Sequence, residues 1–142
     1  MLRLEPPFHV LVVDDGSPDG TGDIVRGLQL KDGDRLHLLE RKGKLGLGTA
    51  YIAGFKWALE RDYGFVFEMD ADFSHAPDDL LRLYDACDTG GADMSVGSRY
   101  VAGGRVRDWA WNRILMSWCA SLYVRMVLWL NVRDTTAGFV CY

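Results

Sequence analysis

The sequence predicts an α/β fold with a mostly parallel, Rossmann-like sheet flanked by helices, and three observations predict it. Short apolar runs alternate several times with helix-like segments along the 142 residues, with no low-complexity linker between them. Several of these runs end in acidic or glycine-bearing turns, the pattern of strands that deliver residues to a sheet rim. The chain is 49% hydrophobic and 25% charged, the balance of a globular protein. A chain of this length supports one core and is short for two ordinary domains, so residues 1–142 are expected to form one domain or part of one.

Phe8 to Val13 (FHVLVV) is the first expected strand, ended by Asp14-Asp15-Gly16 and followed by a turn and a short helix near Gly20 to Leu30. Arg35 to Leu39 (RLHLL) is the second strand. A helix is expected from Gly46, because Leu47, Tyr51, Phe55 and Leu59 recur every fourth residue as one apolar stripe. Gly64 to Met69 (GFVFEM) reads as a buried strand. Pro77 suits the first turn of the next helix, with Asp78 and Asp79 near its positive end and Leu80, Leu81, Tyr84 and Cys87 on its buried side. Ala92 to Gly97 (ADMSVG) is a further strand, and Gly138 to Tyr142 begins another. Strands joined by helices run parallel and present ligand sites beyond their carboxyl ends. That rule puts Asp14 and Asp15, Asp70 and Asp72, and Ser98 and Arg99 on one rim.

Residues 109–130, WAWNRILMSWCASLYVRMVLWL, hold four of the five tryptophans. A spanning helix needs roughly 20 apolar residues, and Arg113 and Arg125 interrupt this run at a cost in a bilayer. Two readings stand: a helix at a membrane interface, and a core helix with surface arginines. The net charge of −4 argues against a nucleic-acid partner, which calls for a basic surface. Any phosphate held here then belongs to a small ligand. Cys87, Cys119 and Cys141 are widely spaced and odd in number, with neither a disulfide framework nor a zinc pattern, so a reducing cytosolic setting is the default. Met1 to Pro7 has no apolar segment of the signal-peptide kind.

Asp70-Ala71-Asp72 is the first chemical candidate. Two carboxylates at this spacing face opposite sides of a continuing strand and converge only where the strand breaks. In a loop, such hard oxygens suit Mg²⁺ or Mn²⁺ shared with a substrate's phosphates; an acidic solvated loop is the plain alternative. In RKGKLGLGTAY, residues 41–51, glycines and lysines precede a helix start, where backbone N–H groups attract anions. The stretch is not a Walker A loop and lacks the third glycine of a dinucleotide fingerprint. A flexible basic connection that needs Gly48 for close packing explains it equally well. Asp14-Asp15-Gly16-Ser17 reads as a site or as a turn. Arg99 follows a strand end and Arg113 opens the tryptophan-bearing helix, each able to offer a phosphate a planar fork of donors or to serve as a surface charge. Ser117 lies one turn beyond Arg113. Of the scattered His9, His37 and His75, only His75 neighbours a candidate site, where a supporting role is expected.

Taken together and in order, VLVVDDGSPDGT, KLGLGTAYIAGF, MDADFSHAPDDL, GSRYVAGG and DTTAGF resemble the polyprenol-phosphate (dolichol-phosphate) mannosyltransferases, inverting family 2 glycosyltransferases with a GT-A fold. The resemblance covers nearly the whole chain. It implies transfer of mannose from GDP-mannose to a polyprenol phosphate, metal-dependent and inverting, by a peripheral protein at the cytoplasmic face of a membrane, with a membrane-anchor domain or subunit as a further partner. Carried over residue by residue, it assigns Val13 and Asp15 to the nucleotide. It assigns Asp70, Ala71 and Asp72 to the diphosphate, with Asp70 and Asp72 on Mg²⁺ or Mn²⁺. Arg99 would face the phosphates, so Asp72 and Arg99 are the catalytic candidates, while Arg113 and Ser117 would receive the lipid phosphate. Asp134 and Thr136 fall in a motif near the reaction centre without an assigned step.

Two departures from the family pattern set further expectations. The resemblance implies a preceding strand with a nucleotide-stacking segment, and a later basic segment, that these residues do not contain. The expectation is a partial catalytic domain lacking the family's first, central strand, inactive and poorly soluble by itself. Ser74 also stands where some members place a glutamine that assists the metal. A lipid-phosphate glucosyltransferase or other family 2 enzyme using UDP-glucose, and an inactive module that retains only nucleotide-sugar binding, are the competing functions.

Overall fold

A computed structural model describes residues 1–98, 111–129, 132 and 134–142, without the side chains of residues 112–114. The chain divides into two compact units, Met1–Val66 and Phe67–Tyr142. The first has the order β1 (Val10–Asp14), α1 (Thr21–Asp32), a 3₁₀ turn (Gly33–Arg35), β2 (Leu36–Glu40) and α2 (Leu47–Leu59). β1 and β2 pair in parallel, from Val10 opposite Leu36 to Asp14 opposite Glu40, so α1 is the crossover of a β-α-β unit. Val25, Leu36 and Ala58 are its buried apolar residues. The expected stripe on α2 is rotated: Leu47 and Leu59 are exposed, whereas Tyr51, Gly54 and Phe55 are half-buried and Ala58 is buried. A strict four-residue repeat drifts around a helix of 3.6 residues per turn, so its ends leave the buried face.

His9 and His37, distant in sequence, stack with ring centroids 5.7 Å apart because β1 and β2 are adjacent. Trp57 packs on His37 at 4.7 Å, the Tyr63 hydroxyl lies 3.0 Å from His9 Nδ1, and the Arg61 guanidinium sits 3.8 Å over the Trp57 ring. Burial, reinforced by His9 and Arg61 nearby, holds the His37 pKa below its usual value.

The second unit contains β3 (Phe67–Met69), α3 (Asp79–Asp88), β4 (Ser95–Val96), α4 (Trp111–Leu128) and β5 (Phe139–Cys141). Its sheet has the order β3-β5-β4, and β5 runs antiparallel to both neighbours. Here the strands depart from the parallel expectation: β3 and β4 share a direction, yet the strand between them is reversed. Phe139, Val140 and Cys141 are all buried, packed with Leu80, Leu83 and Cys87 of α3. Leu83 takes the inward place expected of Leu81 and Tyr84, which are half-buried. The turn before α3 begins at Ala76 and Pro77, whose carbonyls accept from Asp79 and Leu80. Proline thus precedes the first full helical turn. Desolvation pushes the Cys141 thiol up to about 12, so it is inert at neutral pH.

Candidate active site

In the first unit, β1 delivers Val13, Asp14 and Asp15 to its carboxyl end, and the two aspartates have different jobs. Asp14 is buried, and its carboxylate accepts the Ser17 N–H at 3.2 Å and 3.4 Å, closing the turn after the strand. Hydrogen bonding by Ser17 lowers its pKa against the opposing effect of burial. Asp15 lies beyond the strand, its Oδ1 3.2 Å from Arg41 Nε. The Arg41 side chain is only 9% exposed; its Nη2 donates to Thr49 Oγ1 at 2.7 Å, and its backbone N–H donates to the Asp14 carbonyl at 2.7 Å. One arginine therefore ties the acidic turn to the start of α2. Its residue type and its position just past β2 were visible in the sequence, but the partner was not.

The basic stretch does not need Gly48 for packing, since a side chain there would meet nothing within 4 Å. The demanding position is Gly46, whose φ of 94° and ψ of 148° favour glycine immediately before α2. Val13 packs toward the same helix, its Cγ2 3.8 Å from where a β-carbon at Gly54 would stand.

In the second unit the strand carrying the paired carboxylates ends at Met69, so Asp70 and Asp72 leave the alternation that would have set them on opposite faces. Phe73 has a φ of 62° and is fully exposed. A non-glycine residue in this region costs about 1–2 kcal/mol, and it turns the chain sharply after Asp72. The Asp72 carboxylate accepts the Ser74 N–H at 3.0 Å. Hydrogen bonding by Ser74 holds the Asp72 carboxyl below its usual pKa, in the anionic form a cation needs. Ser74 thus acts on the Asp72 carboxylate through its backbone. The Asp70 side chain is half-exposed, and His75 Nε2 stands beside it, 3.9 Å from Oδ2. Ala71 is exposed in the bend between the two aspartates.

On α4, Ser117 Oγ lies 2.9 Å from Thr136 Oγ1, which in turn lies 3.1 Å from Oδ1 of buried Asp134. A carboxylate only accepts, so the Thr136 hydroxyl donates to Asp134 and Ser117 donates to Thr136. Asp134 and Thr136 are thereby joined to the expected acceptor-side serine. To offer its proton to a phosphate, Ser117 has to turn away from Thr136. Ser117, Ser121 and Arg125 recur every fourth residue, with Ser121 Oγ and Arg125 Nε both buried. Among the described side chains of the helix, the large hydrophobics Trp111, Leu115, Met116, Trp118, Tyr123, Met126, Val127 and Leu128 are exposed. Over its described side chains the helix presents large apolar groups outward while Ser117, Ser121 and Arg125 are buried or half-buried, the reverse of an ordinary surface helix. Among the described residues no helix is long and apolar enough to cross a membrane. Arg99 and the side chain of Arg113 lie outside the described residues.

The chain is mixed α/β, with parallel strands in its first unit, an acidic turn after β1 and an Asp-x-Asp turn at the end of β3. The glycosyl transferase family 2 model matches residues 2–141, and the chain belongs to that family. Among curated proteins it is 54% identical over 137 residues to the polyprenol monophosphomannose synthase of Mycolicibacterium smegmatis, covering 96% of this chain and 51% of that protein. It is 51% identical over 137 residues to the undecaprenyl-phosphate mannosyltransferase of Micrococcus luteus, covering 96% of this chain and 55% of that one. The chain spans about half the length of the curated relatives it matches.

Proposed function

We propose that this chain carries the donor-binding and catalytic residues of a polyprenol-phosphate mannosyltransferase. Mannose passes from GDP-mannose to a polyprenol phosphate, with Mg²⁺ or Mn²⁺ and inversion at the anomeric carbon, at the cytoplasmic face of a membrane. The observation that carries this reading is the Asp70-Ala71-Asp72 turn at the end of β3, in a chain more than half identical to the two relatives over 137 residues. Asp70 and Asp72 fit a divalent ion. Both are hard oxygen donors, Asp72 is held anionic by Ser74, and Mg²⁺ takes one or two carboxylates and completes its shell with phosphate oxygens and water. Among the described residues no group of three His, Cys, Asp or Glu side chains could hold a metal ion; in this reading the donor diphosphate supplies further oxygens.

The acceptor needs little activation. A phosphate monoester has a second pKa of about 6 and is mostly dianionic at neutral pH, so no general base is required of the chain. One phosphate oxygen bonds to the anomeric carbon of mannose as that carbon's bond to the GDP oxygen breaks, and the electron pair leaves on the diphosphate. When bound, the metal supplies Lewis-acid stabilisation to that leaving group. Asp70 and Asp72 hold the donor end, with Ala71 leaving space between them; Val13 and Asp15 contact the nucleotide. Arg99 faces the donor phosphates, and Arg113 and Ser117 hold the acceptor phosphate in line. Such positioning contributes on the order of 7–11 kcal/mol in the best model reactions.

The test is transfer of radiolabelled mannose from GDP-mannose to polyprenol phosphate with and without Mn²⁺. Asp72→Ala should abolish metal-dependent transfer, and an unchanged rate at saturating Mn²⁺ would refute the metal assignment. Transfer from UDP-glucose in place of GDP-mannose would make the protein a glucosyltransferase, and nucleotide-sugar binding without turnover would make it a binding module.

A further inference from the structure

Gly138 and His75 stand next to Asp70, and Phe139 and Gly97 stand behind His75. A β-carbon placed on Gly138 would stand 2.8 Å from Asp70 Oδ2, 3.2 Å from its Cγ and 3.3 Å from Oδ1, so the carboxylate rests on the bare backbone of Gly138. His75 Nε2 is 3.9 Å from the same Oδ2, and the His75 side chain is only 16% exposed. The imidazole is stacked on Phe139, with centroids 4.7 Å apart and planes 19° from parallel. Phe139 is buried, and its ring occupies the space that a β-carbon on Gly97 would need, 2.4 Å from Cδ1. The Gly97 N–H also donates to the Phe139 carbonyl at 2.8 Å, fixing the strand that carries the ring.

We propose that Gly138 and His75 are positioning residues that fix the orientation of the Asp70 carboxylate, with Phe139, seated on Gly97, holding His75 in place. This rests on the reading of Asp70 as a ligand of the donor's divalent ion and deepens it. The absent side chain at 138 is the functional element there: it lets the carboxylate lie flat against the turn that leads into β5. His75, beside the same oxygen, limits its rotation. Carboxylates that ligate metals are themselves held by neighbours whose loss typically weakens metal affinity about 10- to 100-fold. Here one neighbour acts by shape and the other by a ring edge.

The experiment compares the unsubstituted protein with Gly138→Ala, His75→Phe, Asp70→Ala and the Gly138→Ala/Asp70→Ala double variant. Thermal unfolding and binding of Mn²⁺ in the presence of GDP, read from the paramagnetic resonance of free Mn²⁺, are measured for each. Gly138→Ala should lower the unfolding temperature alone but have little effect when Asp70→Ala has removed the group it strikes. His75→Phe keeps the ring stack and should weaken Mn²⁺ binding about 10-fold with little change in unfolding temperature. An equal loss of stability from Gly138→Ala in both backgrounds, or unchanged Mn²⁺ affinity in His75→Phe while Asp70→Ala abolishes it, overturns the proposal. If Gly138→Ala alone does not fold, a folded double variant supports the proposal and an unfolded one overturns it. Mn²⁺ binding indifferent to Asp70→Ala would instead refute Asp70 as a metal ligand, whatever the stability coupling.

Discussion

The same substitution, glycine to alanine, should have opposite signs at Gly97 and Gly54. At Gly97 the added methyl would stand 2.4 Å from Cδ1 and 3.2 Å from Cγ of Phe139. The ring has little room to retreat, because it is buried and His75 is stacked on it. Overpacking of this kind costs about 1–3 kcal/mol, of which the stiffer unfolded chain returns about 0.4–1. The net loss is then about 1–2 kcal/mol. At Gly54, inside α2, the methyl would meet only Val13 Cγ2 at 3.8 Å, an ordinary contact. Alanine there gains about 0.5–1 kcal/mol over glycine in a helix interior. Urea unfolding measures both. With a slope of about 2 kcal/mol per molar, the midpoint should fall by about 0.5–1 M for Gly97→Ala and rise by about 0.3–0.5 M for Gly54→Ala. A midpoint that does not fall in Gly97→Ala would refute the account of a closed ring stack.

Arg41→Lys should destabilise nearly as much as Arg41→Ala, by about 3 kcal/mol, the lower end of the cost of breaking a buried ion pair. The reason is that Arg41 uses Nε for Asp15 and Nη2 for Thr49, two directions a lysine cannot serve together; a lysine variant as stable as the parent in urea would refute this. The depressed pKa of His37 means that the folded state binds fewer protons than the unfolded state below about pH 6.5. Its contribution is whole above that value and is lost as pH falls toward the folded pKa, so the urea midpoint should drop between pH 8 and pH 5.5, and His37→Gln should flatten the slope. The outward face of α4 should bind vesicles containing anionic lipid. Trp118→Ser together with Met126→Ser should weaken that binding at least several-fold without changing the helix content, and equal binding by the double variant would return the tryptophans to a packing role.

Much of the fold was legible because its signals are local. FHVLVV, RLHLL and GFVFEM are short apolar runs bounded by turn residues, and each overlaps an observed strand that is shifted or shortened by one to a few residues. The direction of β5 was not legible, since a three-residue strand pairs equally well either way in local terms and only its partners decide. The rotated face of α2 followed from an ideal repeat that the real helix does not keep. At the site, the sequence posed the question of whether the strand breaks between Asp70 and Asp72, and the end of β3 at Met69 answers it. Arg41 passed as part of a basic connection because its burial depends on Asp15 and Thr49, distant or inconspicuous neighbours. Gly138 was only one letter of a motif, because the space it leaves for Asp70 is a tertiary fact.

The reversed central strand also sets an order of events during synthesis. Among the described residues β3 and β4 share no ladder and each pairs with β5, so Met69 waits for Phe139, roughly half a chain length later. At a synthesis rate of about 5–20 residues per second, the strand bearing the paired carboxylates stays without its partner for seconds after it is made. The β1-β2 pair can close in that interval from nearby sequence, whereas the sheet beneath Asp70 must pay the loop entropy of a long closure before any ladder forms. A nascent chain stalled before residue 139 would therefore display β3 and β4 as open edges, and that window is where a chaperone has most to protect.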